Sequence, residues 1–195
     1  LILKSIIYSF SQPFRIFQGN IKLSIKKGIK MPETEKKPGL NIRAAGVEDV
    51  PLILEFVRGI AEFENLTHLV TATEETLKES MFGEKSYAEV FFAELDGVPA
   101  GFTVFFHNFS TFVGRQGLYI EDIFVKPEFR GRGVGKAMFL HCVKLAKERN
   151  CGRMEWAVLD WNPARKFYEY FGSEPVEGWQ IYRMGADKFE SALKK

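Results

Sequence analysis

The alternation of apolar and polar positions gains structure-forming regularity near residue 40. Residues 41–45, N-I-R-A-A, predict a short strand. From Glu48 to Glu64, Ile53, Phe56, Val57, Ile60 and Phe63 recur at three- and four-residue steps, the stripe of an amphipathic helix. Thr73 is placed to cap a second helix ending near Phe82-Gly83, with Glu74 and Glu75 in the first turn, where carboxylates favour the N–H end. The connecting N-L-T-H-L-V-T-A is a loop able to line a groove. Three strands are predicted next, over Ala88–Leu95, Pro99–Phe106 and Gly117–Val125. Asp96-Gly97 makes a hairpin turn between the first two, and 108–117 a turn or loop before the third. A helix over Val134–Arg149 presents Val134, Met138, Cys142 and Leu145 on one side. A strand (Met154–Leu159), a short helix (Asn162–Tyr170, Pro163 at its first position), a last strand (Gly178–Met184) and a terminal helix (Ala186–Leu193) complete the chain. The order is β-α-α-β-β-β-α-β-α-β, without internal repeats.

Residues 1–39 read differently, as a basic leader and a polar lead-in outside the fold. The first 32 residues hold six of the 27 cations and no acid, which leaves 21 cations against 25 acids and a net charge of −4 for the rest. Lys4, Gln12, Pro13 and Arg15 break the leader's apolar run below the length of a membrane span. Met31 looks like a natural start, and an organelle transit peptide is the alternative reading. At 195 residues and 46% apolar the chain can bury one sizeable core, and the domain then covers 40–195. A mildly acidic body argues against nucleic acid as a partner and accommodates a cationic substrate. Cys142 and Cys151 make no pair with metal spacing, so neither a zinc site nor a disulfide framework is expected. Two free thiols suit a reducing compartment, and the cytoplasm is the expected location, with targeting by the leader left open.

The chemistry concentrates in Y-I-E-D-I-F-V-K-P-E-F-R-G-R-G-V-G-K-A, residues 119–137. A strand runs into an Arg/Gly loop and then into a long helix. Gly131, Gly133 and Gly135 allow sharp turns and close approach of a ligand. The free N–H groups at the helix start, beside Arg130, Arg132 and Lys136, form an anion site fit for a pyrophosphate. A Walker loop would need Gly at 130 and Ser or Thr at 137, where Arg and Ala stand. A dinucleotide fingerprint would need Gly at 136, where Lys stands. Glu121 and Asp122 sit just ahead of the loop in an otherwise apolar strand, which is poor core material. Strand alternation turns at most one of them toward a common centre.

The pattern R-x-x-G-x-G, met by Arg130, Gly133 and Gly135 after an acidic strand, resembles the acetyl-CoA loop of the GNAT N-acetyltransferases. The element order from residue 41 onward matches theirs. The resemblance implies an α+β fold, a mostly antiparallel central sheet flanked by helices, with acetyl-CoA as cosubstrate and no metal. Ile123, Phe124 and Val125 would pair with the pantetheine arm. Arg130, Gly131, Arg132, Gly133, Val134, Gly135 and Lys136 would hold the pyrophosphate, and Asn162 would touch the cofactor. Tyr168 would be the general acid toward the departing thiolate.

Together, 119–136, A-V-L-D-W-N-P and E-G-W-Q-I-Y are similar to the diamine (spermidine/spermine) acetyltransferases and their thialysine-acetylating relatives. By that resemblance Glu121 contacts the substrate; its carboxylate, with Asp122 beside it, is chemically able to hold the protonated amine and accept its proton directly or through water. Phe63, Glu64, Glu177 and Trp179 line the substrate groove. Phe63 stands where the diamine enzymes carry Tyr. The implied activity is direct acetyl transfer to a primary amine of a small polyamine-like or thialysine-like substrate by a homodimer, with no membrane partner. Another amine (amino acid, aminoglycoside, protein lysine or N-terminus) and a non-catalytic acyl-CoA sensor remain open.

Overall fold

The stripe at Ile53, Phe56 and their helical neighbours becomes the packed face of a helix in the computed structural model, which describes residues 39–195. Strand β1 is Leu40–Ala44 and helix α1 is Val50–Phe63, with proline in its first turn, where a missing N–H costs no helical bond. Helix α2, Glu74–Phe82, starts at the expected cap: Thr73 Oγ1 accepts from the Thr76 N–H at 3.3 Å, and Thr76 Oγ1 from the Thr73 N–H at 3.0 Å. Strands β2 (Glu89–Leu95), β3 (Val98–Ser110) and β4 (Arg115–Val125) follow, then α3 (Val134–Glu148), β5 (Met154–Trp156), α4 (Ala164–Tyr170) and α5 (Phe189–Leu193). The leader expected over 1–39 lies, but for Gly39, outside the described residues.

One sheet in the order β1-β2-β3-β4-β5 is antiparallel through β4, and β5 joins β4 in parallel. That is the mostly antiparallel α+β arrangement expected. On one face Ile53 and Phe56 of α1 pack on Val90, Phe92, Phe102, Val104 and Phe124. The Phe56 ring lies 5.0 Å from Phe102 and 5.6 Å from Phe92. Each such ring, fully buried, stabilises the fold by about 1.5–3 kcal/mol. On the other face α3 and α4 cover Phe105, Leu118 and Ile120 with Phe139, Cys142 and Tyr168. Cys142 is buried there as the small core residue its place in the helix stripe implies.

Four elements differ from expectation. The β3–β4 hairpin reaches Ser110 and Arg115, so most of the segment read as loop is a two-stranded ribbon whose tip leaves Phe109 and Phe112 exposed. Strand β5 ends at Trp156 instead of Leu159. Its last partner is Ile120, the residue before a bulge that bends β4. Helix α4 begins at Ala164, because Asn162 stays outside and its Oδ1 accepts from the Ala164 N–H at 2.9 Å. Finally, 178–184 is not a strand. Its alternation is real, but no described strand lies beside it to pair its backbone, and Trp179, Ile181 and Tyr182 stay 75–89% exposed.

Candidate active site

Strand β4 builds the site by changing character halfway along. Leu118–Ile120 pair with β3 on one side and β5 on the other. The register then slips, with Val104 opposite Asp122 and Phe105 opposite Ile120, so Glu121 is the extra residue of a β-bulge. A bulge interrupts strict alternation, so the rule that only one of Glu121 and Asp122 can face a common centre does not hold here. Asp122 senses both Glu121 and Glu64, the residue that ends α1. Phe63 lies 6.4 Å from Phe124, so the end of α1 brings Glu64 toward this stretch of β4, and none of the three carboxylates has an ion-pair partner among the described residues. Burial first, then the charges of Glu121 and Glu64, pushes the Asp122 carboxyl up to about 6. Burial also raises Glu64.

Beyond the bulge, β5 no longer covers β4. The Lys126 N–H donates to the Ala100 carbonyl of β3 at 3.0 Å, so alternation turns the N–H and C=O groups of Ile123 and Val125 toward the open side. The loop after β4 then enters α3. Gly131 (φ +71°) and Gly133 (φ +81°) adopt the left-handed conformation that disfavours other residues. Gly135 is different: it is helical, and a Cβ there would stand an ordinary 3.5 Å from Val125. The first helical bond is Ala137 N–H to Gly133 O at 3.1 Å, which leaves the N–H groups ahead of it without helical acceptors. No acid lies in the first turn of this 15-residue helix to compensate its positive end. Val134 buries its side chain in the core, so only its backbone faces outward. Lys136 is exposed. Arg132 lies over Phe129, with Asp96 at 4.0 Å. An open strand edge thus lies beside a helix N-terminus with no acid in its first turn: the edge offers backbone groups to an amide-bearing chain, and the helix end offers N–H groups to an anion.

Arg130 points elsewhere. Its Nε donates to the Val125 carbonyl at 3.1 Å, and its guanidinium lies 4.6 Å from the Phe63 ring centre and 5.6 Å from that of Phe124. Phe63 also meets Trp161 at 5.9 Å, which ties the end of α1 to the loop before α4. Trp161 was given no role in the sequence reading, although it adjoins Asn162 in a run already singled out. On the opposite face Tyr168 is buried, 4.8 Å from Trp156 and 5.6 Å from Phe139, in the cluster that Ile123 also joins. Burial pushes its phenol up to about 12. Glu177 and Trp179 sit on the exposed C-terminal segment, and no described contact brings them to the other acids.

The sequence matches the model of the Acetyltransferase (GNAT) family over residues 57–172. A Bos taurus thialysine N-epsilon-acetyltransferase is 34% identical, over 79% of this chain and 97% of its own length. An Arabidopsis thaliana L-ornithine N5-acetyltransferase is 31% identical, over 78% of this chain and 87% of its own. Among solved structures, an integron cassette protein from V. cholerae superposes with a TM-score of 0.67 at 23% identity, covering 82% of this chain and 100% of its own. The chain belongs to the GNAT acetyltransferase family. It is an N-acetyltransferase acting on amines, and enzymes of this family use acetyl-CoA. Among the described residues no helix is long and apolar enough to cross a membrane, and no cluster of three or more His, Cys, Asp or Glu could hold a metal ion.

Proposed function

We propose that the protein transfers acetyl directly from acetyl-CoA to a primary amine of a small polyamine-like or thialysine-like acceptor. The observation that carries this reading is the grouping of Glu64, Glu121 and Asp122 at the point where β4 loses its β5 partner. Bound there, acetyl-CoA supplies an activated thioester. The α3 N-terminus, with Arg132 and Lys136, would hold its phosphates, and Ile123 and Val125 its amide-bearing arm, with Asn162 against the cofactor. Glu121, exposed, holds the acceptor's ammonium. Asp122, raised to about 6, is ionised at neutral pH yet more basic than an ordinary carboxylate, and it takes the amine's proton directly or through water. Outward N–H groups of β4 stabilise developing negative charge. Tyr168 stays protonated throughout the working pH range and donates toward sulfur as charge builds there.

The test is thiol release from acetyl-CoA with spermidine, spermine, putrescine, thialysine, lysine and a histone-tail peptide. Turnover of small amines and none of the peptide is expected. Binding of acetyl-CoA without turnover of any of the six would overturn this acceptor class and leave another amine or a sensor. We further infer a homodimer. Support comes from the unpaired segment with Trp179 (75% exposed), Ile181 (77%) and Tyr182 (89%), a strand-like stretch in want of a neighbour. Light scattering at micromolar concentration should return twice the chain mass, and a monomer would remove the inference.

A further inference from the structure

Strand β3 carries one polar side chain between Ala100 and Phe106, and it is buried. Thr103 is 1% exposed, between Phe102 at 0% and Val104 at 4%. A buried hydroxyl is unfavourable unless it is bonded, and Val has the same branched outline without that cost. The bond Thr103 makes is at the slip in β4: its Oγ1 donates to the Asp122 carbonyl at 2.9 Å. Counted from the bond between the Lys126 N–H and the Ala100 carbonyl, ladder alternation makes Val104 and Asp122 a directly bonded pair at the edge of the slip. The Asp122 carbonyl thus takes the Val104 N–H on one lone pair and the Thr103 hydroxyl on the other. Behind the threonine, Cys142 of α3 has its Sγ 3.9 Å from Oγ1. Burial pushes that thiol up to about 11, so it stays protonated and is the donor, the hydroxyl hydrogen being already committed. A chain of donors therefore runs from α3 through β3 to the first residue after the bulge.

Thr103 and the Asp122 side chain lie on opposite faces of the sheet. Thr103 meets Cys142 beneath α3, whereas Asp122 shares its face with Phe124, which packs on Phe56 of α1. The threonine therefore holds the backbone that carries the carboxylate and not the carboxylate itself. We propose that Thr103 is a positioning residue for amine deprotonation: its hydroxyl fixes the backbone of the bulge and so aims the Asp122 carboxylate at the acceptor's ammonium. The proposal rests on the reading of Asp122 as the base. A bulge sets two residues against one, and without an anchor the extra residue is free to shift along the strand and restore plain alternation. The charged groups that face the Asp122 carboxyl are Glu121 of its own strand and Glu64 at the end of α1, while β3 sets the uncharged Thr103 and Val104 beside it. A carboxyl in that setting keeps its raised value only while the backbone holds it there.

The experiment compares Thr103→Val with Thr103→Ser by two readouts. In the first, carbon-13 NMR follows the aspartate carboxyl carbons against pH, and Asp122 is assigned by the signal that Asp122→Asn removes. In the second, kcat is measured against pH with the best acceptor of the amine panel. In wild-type protein the Asp122 carbon should titrate at about 6, and kcat should rise through an acid limb at the same pH. Thr103→Val should move both downward by on the order of one pH unit, toward an ordinary carboxylate. It should also lower the plateau kcat about tenfold at a nearly unchanged KM for acetyl-CoA. Thr103→Ser keeps the donor and should restore titration, limb and plateau. A threonine that serves the fold alone would lower the melting temperature of Thr103→Val and leave titration and limb in place, which overturns the proposal and leaves Asp122 as the base. A wild-type kcat profile with no limb at the pH of the carbon titration removes the base reading, and the proposal with it.

Discussion

The two halves of strand β4 are made from one continuous stretch of chain and are put to opposite uses. From Leu118 to Ile120 the strand is paired on both edges, and the Leu118 and Ile120 side chains are at most 2% exposed beneath α3 and α4. From Glu121 to Val125 it is paired on one edge only, starts with a bulge, and carries two acids with no ion-pair partner among the described residues. The first half spends its polar backbone on pairing and its side chains on burial, so it is stable and inert. The second keeps backbone groups available and holds a carboxylate in an environment that opposes its charge. The bulge at Glu121 marks the boundary: pairing with β5 stops at Ile120, the residue before it, and Asp122, the residue after it, lies where the charges of Glu121 and Glu64 oppose its ionisation.

Tyr168 gives the sharpest way to break this contrast, since its ring belongs to the packed region and its hydroxyl is assigned to the open one. Tyr168→Phe keeps the contacts with Phe139 and Trp156 and removes only the oxygen. Turnover should fall on the order of a hundredfold or more, with acetyl-CoA binding and the melting temperature nearly unchanged. Steady-state kinetics beside calorimetric cofactor titration reads both. Undiminished turnover would leave the acid to another group.

Asp122→Asn should have the next largest effect, and in two directions. The folded protein holds this carboxyl up to about 6 against an ordinary 3.8, so it binds the proton more readily than the unfolded chain does. Stability is therefore complete below about pH 4 and drains as pH rises through 6. The gap corresponds to at most about 3 kcal/mol above that range. Urea melts should find the variant more stable than the wild type at pH 8, with the difference vanishing near pH 4, while amine turnover drops. A variant no more stable at pH 8 would mean that the open half gives up no stability for its charge.

How far this division was legible in the sequence depends on which forces set each part. Local chemistry was readable. The cap at Thr73, the stripe of α1 and the glycine loop before α3 all follow from neighbours a few residues apart, and all are present. The grouping of Glu121 with Asp122 was not, because a bulge is decided by the register of β3 against β4 and leaves no mark in either strand alone. The contact of Arg130 with Phe63, 67 residues earlier, was not legible either, because it is a long-range packing contact and the local glycine loop speaks only of charge. The segment at 178–184 has the alternation of a strand, and alternation does not say whether a partner strand is within reach.

The glycines of the loop sharpen the comparison by separating conformation from proximity. Gly133→Ala places a side chain at φ +81° and should cost about 1–2 kcal/mol, with a raised KM for acetyl-CoA. Gly135→Ala keeps a helical backbone and makes only ordinary contact with Val125, so its stability should match or slightly exceed the wild type. Thermal melts of the two variants side by side test this. Equal losses would mean that close packing, and not the left-handed turn, fixes the loop.

His141 supplies the smallest effect and a control from the packed side of the sheet. It sits on α3 with its ring 4.6 Å from Phe91, and its Nε2 is buried without a hydrogen-bond partner. Burial above all, helped by Lys144 and Arg149 and opposed by Glu148, holds it below the ordinary 6.5. The fold thus binds this proton less readily than the unfolded chain. Its contribution is present above 6.5 and is lost as pH falls through the lowered folded value, a slope opposite in sign to that of Asp122. In wild-type protein the two slopes partly cancel between about pH 4 and 6.5, so neither is read cleanly. In the Asp122→Asn background the opposing slope of that carboxyl is gone, and adding His141→Gln should flatten what remains, with urea midpoints at pH 5 and pH 8 drawing closer together. If the double variant keeps the slope of the single one, His141 is not the group that titrates, and the acid sensitivity of the packed side must come from carboxylates such as Glu89, which Arg149 holds below its ordinary range.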